Sequence, residues 1–265
     1  RLIRRQRQMC IRDRSMISRK PLSDQPSVRS PWFWVPSLYF AQGIPYVAVM
    51  IVSVLMYKRL GVSNTDIALY TSWLNLPWVI KPFWSPFVDL LKTKRWWVVT
   101  MQLLIGAGLA GVAFTIPTTF FFQASLAVFW LLAFSSATHD IAADGFYRLA
   151  LDSHEQAFFV GIRSTFYRIA IIAGQGVLVM FAGFLENNTG NIPLAWSITF
   201  FILGGLFLGL FLYHRYILPL PEGDKPSVTV TPSTIVKEFF ATFVSFFKKK
   251  QAFVAILFLS LIHIS

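Results

Sequence analysis

The sequence predicts an all-α polytopic membrane protein, and three observations carry that prediction. Of its 265 residues 55% are hydrophobic and only 14% charged, a balance too apolar for a soluble domain. The apolar residues gather into successive runs of about 20 residues or more, the length of a bilayer crossing. Short breaks rich in Gly, Pro or charge separate these runs, so the chain is expected to fold back on itself repeatedly.

The two ends are set aside first. Residues 1–14 hold six Arg and one Asp, much of the formal charge of +12. Met9-Cys10-Ile11-Arg12-Asp13-Arg14 can be encoded by ATG TGT ATA AGA GAC AG, and Leu259-Ser260-Leu261-Ile262-His263-Ile264 by its reverse complement. Both resemble the translated end of a transposase-based sequencing adapter. Residues 1–14 and 259–265 are therefore read as adapter-derived, and the chain between them as a fragment. Cys10, the single cysteine, falls in the first of these segments, so disulfide, zinc and thiol chemistry lapse.

A polar lead, residues 15–31, precedes a first span over roughly Trp32–Tyr57, interrupted by Gly43 and Pro45. Within it Gln42 and Tyr46 either line a cavity or belong to a kinked, internally satisfied helix. The second span, about Asp66–Val88, carries Pro77, Pro82 and Pro86 and encloses Lys81. That lysine either snorkels to the headgroups or pairs inside the membrane. Span three runs over about Trp96–Ile116, with Gly106, Gly108 and Gly111 as close-packing positions. Span four covers about Phe120–Tyr147 and span five about Phe158–Leu185, which contains Arg168 and Gln175. The link Glu186–Pro193 reads as an Asn- and Gly-rich loop. Span six, about Leu194–Leu218, has Gly204, Gly205 and Gly209. Residues 219–250 form an inter-half link whose Thr234–Phe247 stretch reads as a surface helix, and a seventh span begins at Gln251. Fourteen Lys and Arg fall on the side of the lead, against Lys58 and Arg59 on the other, which places the amino end in the cytoplasm. Topology thus accounts for the basic balance without nucleic acid.

The costliest stretch to bury is Ala137-Thr138-His139-Asp140-Ile141-Ala142-Ala143-Asp144-Gly145 in span four. An ionised side chain near the bilayer centre costs at least about 2.5–3.5 kcal/mol, so such groups face a protein interior or a watery cavity. Asp140 and Asp144 share one helix face about one turn apart, and two such acids call for nearby cations. Lys81 and Arg168 are the cations within the spans. If the pairs are permanent, the cluster is a structural clamp; if one parts as a cavity opens, Asp140 or Asp144 takes up a proton. His139 adds a third titratable group.

Six spans, a link with a surface segment and the start of a seventh span resemble the first half of a major facilitator superfamily (MFS) transporter. Lys81-Pro82-Phe83-Trp84-Ser85-Pro86-Phe87-Val88-Asp89 resembles the Lys-Phe-x-Trp-x-Pro-x-x-Asp run of AmpG-like muropeptide permeases. Thr138 to Gly145 resembles the Gln-Asp-Ile-Ala-x-Asp-Gly-like signature of that group and of acetyl-CoA transporters, with His139 in place of Gln. Phe166-Tyr167-Arg168-Ile169-Ala170 is similar to the Tyr-Arg-x-x run of their fifth span. The resemblance covers roughly residues 32–258. It implies a proton-driven solute transporter of the bacterial inner membrane, a permease rather than an enzyme, with muropeptides as cargo and no cofactor. Its implied partners are membrane lipid, the solute, protons and a missing C-terminal half. Asp140, Asp144, His139, Lys81 and Arg168 would form its intramembrane charge cluster, His139 on the pore side. Gln42, Tyr46 and Gln175 would line the substrate cavity, and Asp89, Lys92 and Arg95 would belong to a gating motif. An MFS permease for another solute, or a non-transporting scaffold or sensor on the same fold, remains open.

Overall fold

The computed structural model describes residues 30–225 together with Ala241, Val244, Ser245 and Lys248. The adapter-like ends, the lead before Ser30, most of the expected surface helix and the start of the seventh span lie outside the described residues. Every regular element among the described residues is helical.

Among the described residues five helices are long and apolar enough to cross a membrane: α1 over Pro31–Arg59, α4 over Lys94–Thr115, α5 over Phe121–Ala150, α6 over Ser153–Thr189 and α7 over Ile192–Ile217. The expected second span lies between α1 and α4 as a broken rod. It comprises α2 over Asn64–Thr71, a 3₁₀ turn over Ser72–Asn75, a short turn of helix over Leu76–Val79, and α3 over Lys81–Leu91. Proline explains the breaks, because it lacks the N–H that would continue the ladder but fits a first turn. Pro77 and Pro82 each sit in the first turn of a new piece.

Side chains close the helix ends. Ser63 accepts the Asp66 N–H at 3.1 Å, Thr93 the Trp96 N–H at 3.1 Å, and Asn191 the Leu194 N–H at 3.0 Å. Asp152 and Glu155 form a reciprocal capping box that starts α6, five residues before the expected start of span five. At its far end α6 continues through Asn187, Asn188 and Thr189, where a loop was expected. The reason is local: Asn188 Nδ2 donates to Phe184 O at 2.8 Å and Thr189 Oγ1 to Leu185 O at 2.7 Å. Gly190, at φ +64°, then ends the helix in the left-handed conformation that glycine tolerates best.

Small residues set the closest crossings. A Cβ on Gly204 of α7 would lie 3.0 Å from the carbonyl oxygen of Gly106 in α4, so these two backbones touch. Gly108 and Gly111 instead face Leu132 and Val128 of α5, while Gly205 and Gly209, expected to pack, have nothing within 4 Å. One residue along a helix turns about 100°, which carries Gly205 off the seam that Gly204 occupies. Helix α1 packs on α6 through Gly43, where an added Cβ would lie 2.7 Å from Ala170 Cβ and 2.9 Å from Tyr167 O. Both helices contain a π-turn here, Ala48–Val52 in α1 and Gly174–Leu178 in α6. The first follows Pro45, whose missing N–H leaves the ladder open to such a shift.

Near the far ends of α1 and α6, Arg59 pairs with Glu186, and Trp196 Nε1 donates to the same carboxylate at 2.7 Å. Glu186→Ala leaves the buried Trp196 N–H without its acceptor, at a cost of about 1–3 kcal/mol. Glu186→Gln retains an acceptor and is expected to melt closer to the wild type. Fluorescence-detected melting of the two variants checks this order.

Candidate functional site

The two acids of α5 do lie on one face, and each has its own cation. Asp140, 7% exposed, receives Lys81 Nζ at 2.6 Å and Trp78 Nε1 at 3.2 Å on Oδ2. Its Oδ1 has no hydrogen-bond partner among the described residues. Lys81 opens α3, so the break before Pro82 is what aims its ammonium into the bundle. Tyr46 supports this corner by packing edge-on against Trp78, ring centres 5.2 Å apart.

Asp144 is paired differently from the expectation. Its Oδ1 accepts the Tyr39 hydroxyl at 2.9 Å and Arg163 Nη1 at 3.2 Å, and the same Nη1 lies 3.0 Å from the Tyr39 oxygen. The Arg163 guanidinium lies over the rings of both Tyr39 and Tyr147, 5.3 and 5.0 Å from their centres, where each π-face attracts a cation; the two rings themselves meet edge to face, centres 5.8 Å apart. Arg163, not Arg168, is therefore the second cation of the cluster. Arg168 is exposed and lines a cavity of about 450 Å³ with Tyr39, Gln42, Asp144, Arg163 and Tyr167. Gln42 is mostly buried there, and its Oε1 has no partner among the described residues. A second cavity of about 470 Å³, lined by Tyr147, Arg148, Gln156 and Val160, shares the Asp144–Arg163 pair with the first. Gln175 is exposed on the α6 π-turn and lines neither cavity.

His139, expected on the pore side, lines neither of these two cavities. It is fully buried, about 100° around α5 from Asp140, and faces α4 and α7. Gln102 of α4 lies with Nε2 3.1 Å from His139 Nε2 and Oε1 3.0 Å from His214 Nδ1 of α7. His214 Nε2 in turn lies 3.0 Å from Ser37 Oγ of α1. A continuous polar chain, Ser37–His214–Gln102–His139, thus ties together four helices.

At the turn between α3 and α4, Asp89 pairs with Lys94. Arg95 donates to the carbonyls of Leu218, at 3.2 Å, and Arg215, holding the end of α7. The Asp224 carboxylate accepts the backbone N–H of Lys94 at 2.6 Å and of Arg95 at 3.0 Å, where an anion suits the start of a helix. Lys92 is exposed beside this cluster.

Bilayer-length helices that enclose paired charges beside cavities define a multi-pass membrane protein with a charged interior. The chain belongs to the BT1 family, whose model it matches over residues 40–263. It is 27% identical over 237 residues to the putative transporter AmpG 4 of Rickettsia conorii, covering 81% of this chain and 52% of that protein. With the anhydromuropeptide permease of Escherichia coli K12 it shares 24% identity over 228 residues, 83% of this chain and 43% of the permease. The chain spans about half the length of the curated relatives it matches. The resemblance to AmpG-like permeases read from the motifs of spans two, four and five agrees with these matches.

Proposed function

We propose that the chain is the first six-span half of a secondary transporter of the bacterial inner membrane, amino end cytoplasmic, which moves a muropeptide-like solute together with protons. Alternating access would come from rocking of this half against a second one around a central site. The observation that carries the reading is the position of the Asp144–Arg163 pair, which both cavities share. A carboxylate there can meet solute from one cavity and exchange a proton with the other.

The two acids then divide the work. Asp144, its side chain 46% exposed, is the proton-coupling group, with Arg163 as its counter-ion. Asp140 is the clamp, held by Lys81 away from the cavities. Arg168 offers a cation to the carboxylates of a peptide-bearing sugar, and Gln42 Oε1 an acceptor for its amides or hydroxyls. Asp89 with Lys94, and Arg95 with the end of α7, would steady the cytoplasmic face between states. The similarity to the anhydromuropeptide permease of Escherichia coli supports this cargo class.

Uptake in cells lacking their own anhydromuropeptide permease tests the proposal. Expression of the gene that contains this chain is expected to restore anhydromuropeptide uptake with alkalinisation of the medium. Asp144→Asn is expected to abolish the proton movement, while Asp140→Asn together with Lys81→Gln retains part of it. Proton movement undiminished by Asp144→Asn would remove that residue from the coupling role.

A further inference from the structure

A third recess shares no residue with the two cavities at Asp144. It is a groove of about 470 Å³ between the start of α4 and the end of α7. We propose that it binds an acidic glycerophospholipid, with the phosphodiester against Arg215 and Arg95 and an acyl chain along Val99, Leu103 and Phe211.

The order of residues along the two helices carries the proposal. Arg95, Val99 and Leu103 stand at intervals of four on α4, and Arg215 and Phe211 at the same interval on antiparallel α7, so each series forms one stripe. Both stripes begin cationic at the helix end and turn apolar about 6–12 Å deeper, at 1.5 Å per residue. That is the polarity gradient of a phospholipid, headgroup at the surface and chain towards the bilayer centre. Among the described residues lining the groove none is acidic; the nearby Asp224 is committed to the Lys94 and Arg95 amides.

The headgroup end is preorganised. Arg95 is anchored on the carbonyls of Leu218 and Arg215, whereas the Arg215 side chain is exposed beside it. Trp96 and Tyr216, 44% and 70% exposed, stand at the same level, where amphipathic rings favour the interface. Basic pockets between spans on the cytoplasmic side recognise acidic headgroups, and the negative surface potential of that leaflet adds about 1 kcal/mol per cation. The choice of leaflet rests on the amino-end-inside orientation; the lipid class does not. A soluble phosphate ester would satisfy the arginines but leave the apolar stripe unused.

The test is native mass spectrometry of the full chain released from nanodiscs made of equal parts phosphatidylglycerol and phosphatidylethanolamine. The wild type is expected to retain phosphatidylglycerol preferentially, and Arg215→Gln to lower that retention about fivefold. Because Arg95 bonds the Arg215 backbone rather than its side chain, this substitution keeps the anchor. Thr100→Trp, which fills the groove without changing charge, is expected to lower retention as well, and Lys225→Gln, an equal loss of charge outside it, to leave retention unchanged. Equal retention of the two lipids by the wild type, or unchanged retention in both groove variants, would overturn the proposal. So would displacement of the lipid by sn-glycerol 3-phosphate, which would make this a site for soluble phosphate esters.

Discussion

Lys81→Ala is expected to cost about 3–5 kcal/mol of stability, because it leaves the buried Asp140 carboxylate with a single neutral donor. Trp78 Nε1, at 3.2 Å, would be all that remains on an oxygen that now also holds an ammonium at 2.6 Å. The other oxygen already lacks a partner among the described residues, so no second bond stands in reserve. Adding Asp140→Asn removes the stranded charge and keeps an acceptor for Trp78, so the double variant should melt well above Lys81→Ala alone. Fluorescence-detected melting in detergent, run as a double-mutant cycle, measures this coupling. A Lys81→Ala variant that melts with the wild type would mean that the ammonium spends its time at the headgroups.

Gly174→Ala is the second large effect. Its Cβ would overlap Cγ1 of Val47 on α1, and a valine in a helix is held in one strongly preferred rotamer. Overpacking of this kind costs about 1–3 kcal/mol. Val47→Ala opens the space, so the Gly174→Ala/Val47→Ala pair should recover most of the loss. Gly43→Ala at the same crossing has no such remedy, since one of its neighbours is the Tyr167 carbonyl, which moves only with α6. Equal melting of the single and double Gly174 variants would show that α1 and α6 part readily at the π-turns.

The spans were readable because bilayer thickness fixes the length of an apolar run, and proline marked the breaks of the second one. The Lys81–Asp140 pair was readable for a related reason, as both are charges stranded in otherwise apolar segments. Arg163 was missed because it lies near the end of its span. Although it falls inside the span predicted from Phe158, it sits only five residues in and was counted with the cytoplasmic cations; the Asp152-x-x-Glu155 capping box starts the helix at Ser153 and puts Arg163 in the third turn. The burial of His139 was hidden differently: which side of α5 meets α4 and α7 depends on packing between distant segments. Gln102 and His214, whose side chains meet across 112 positions, carry no local signal of their contact.

The Ser37–His214–Gln102–His139 chain also imposes a parity rule on its two imidazoles. An amide has one oxygen and one NH₂, so when Gln102 offers its oxygen to one ring it offers hydrogens to the other. Whichever way the amide is turned, one histidine must present a donor to it and the other a lone pair. The tautomers of His139 and His214 are therefore not independent choices. They reverse together if the amide turns over, and Ser37 reverses with them by switching between donating to His214 and accepting from it. Two imidazolium rings at once have no place in this arrangement, since both would need the same oxygen.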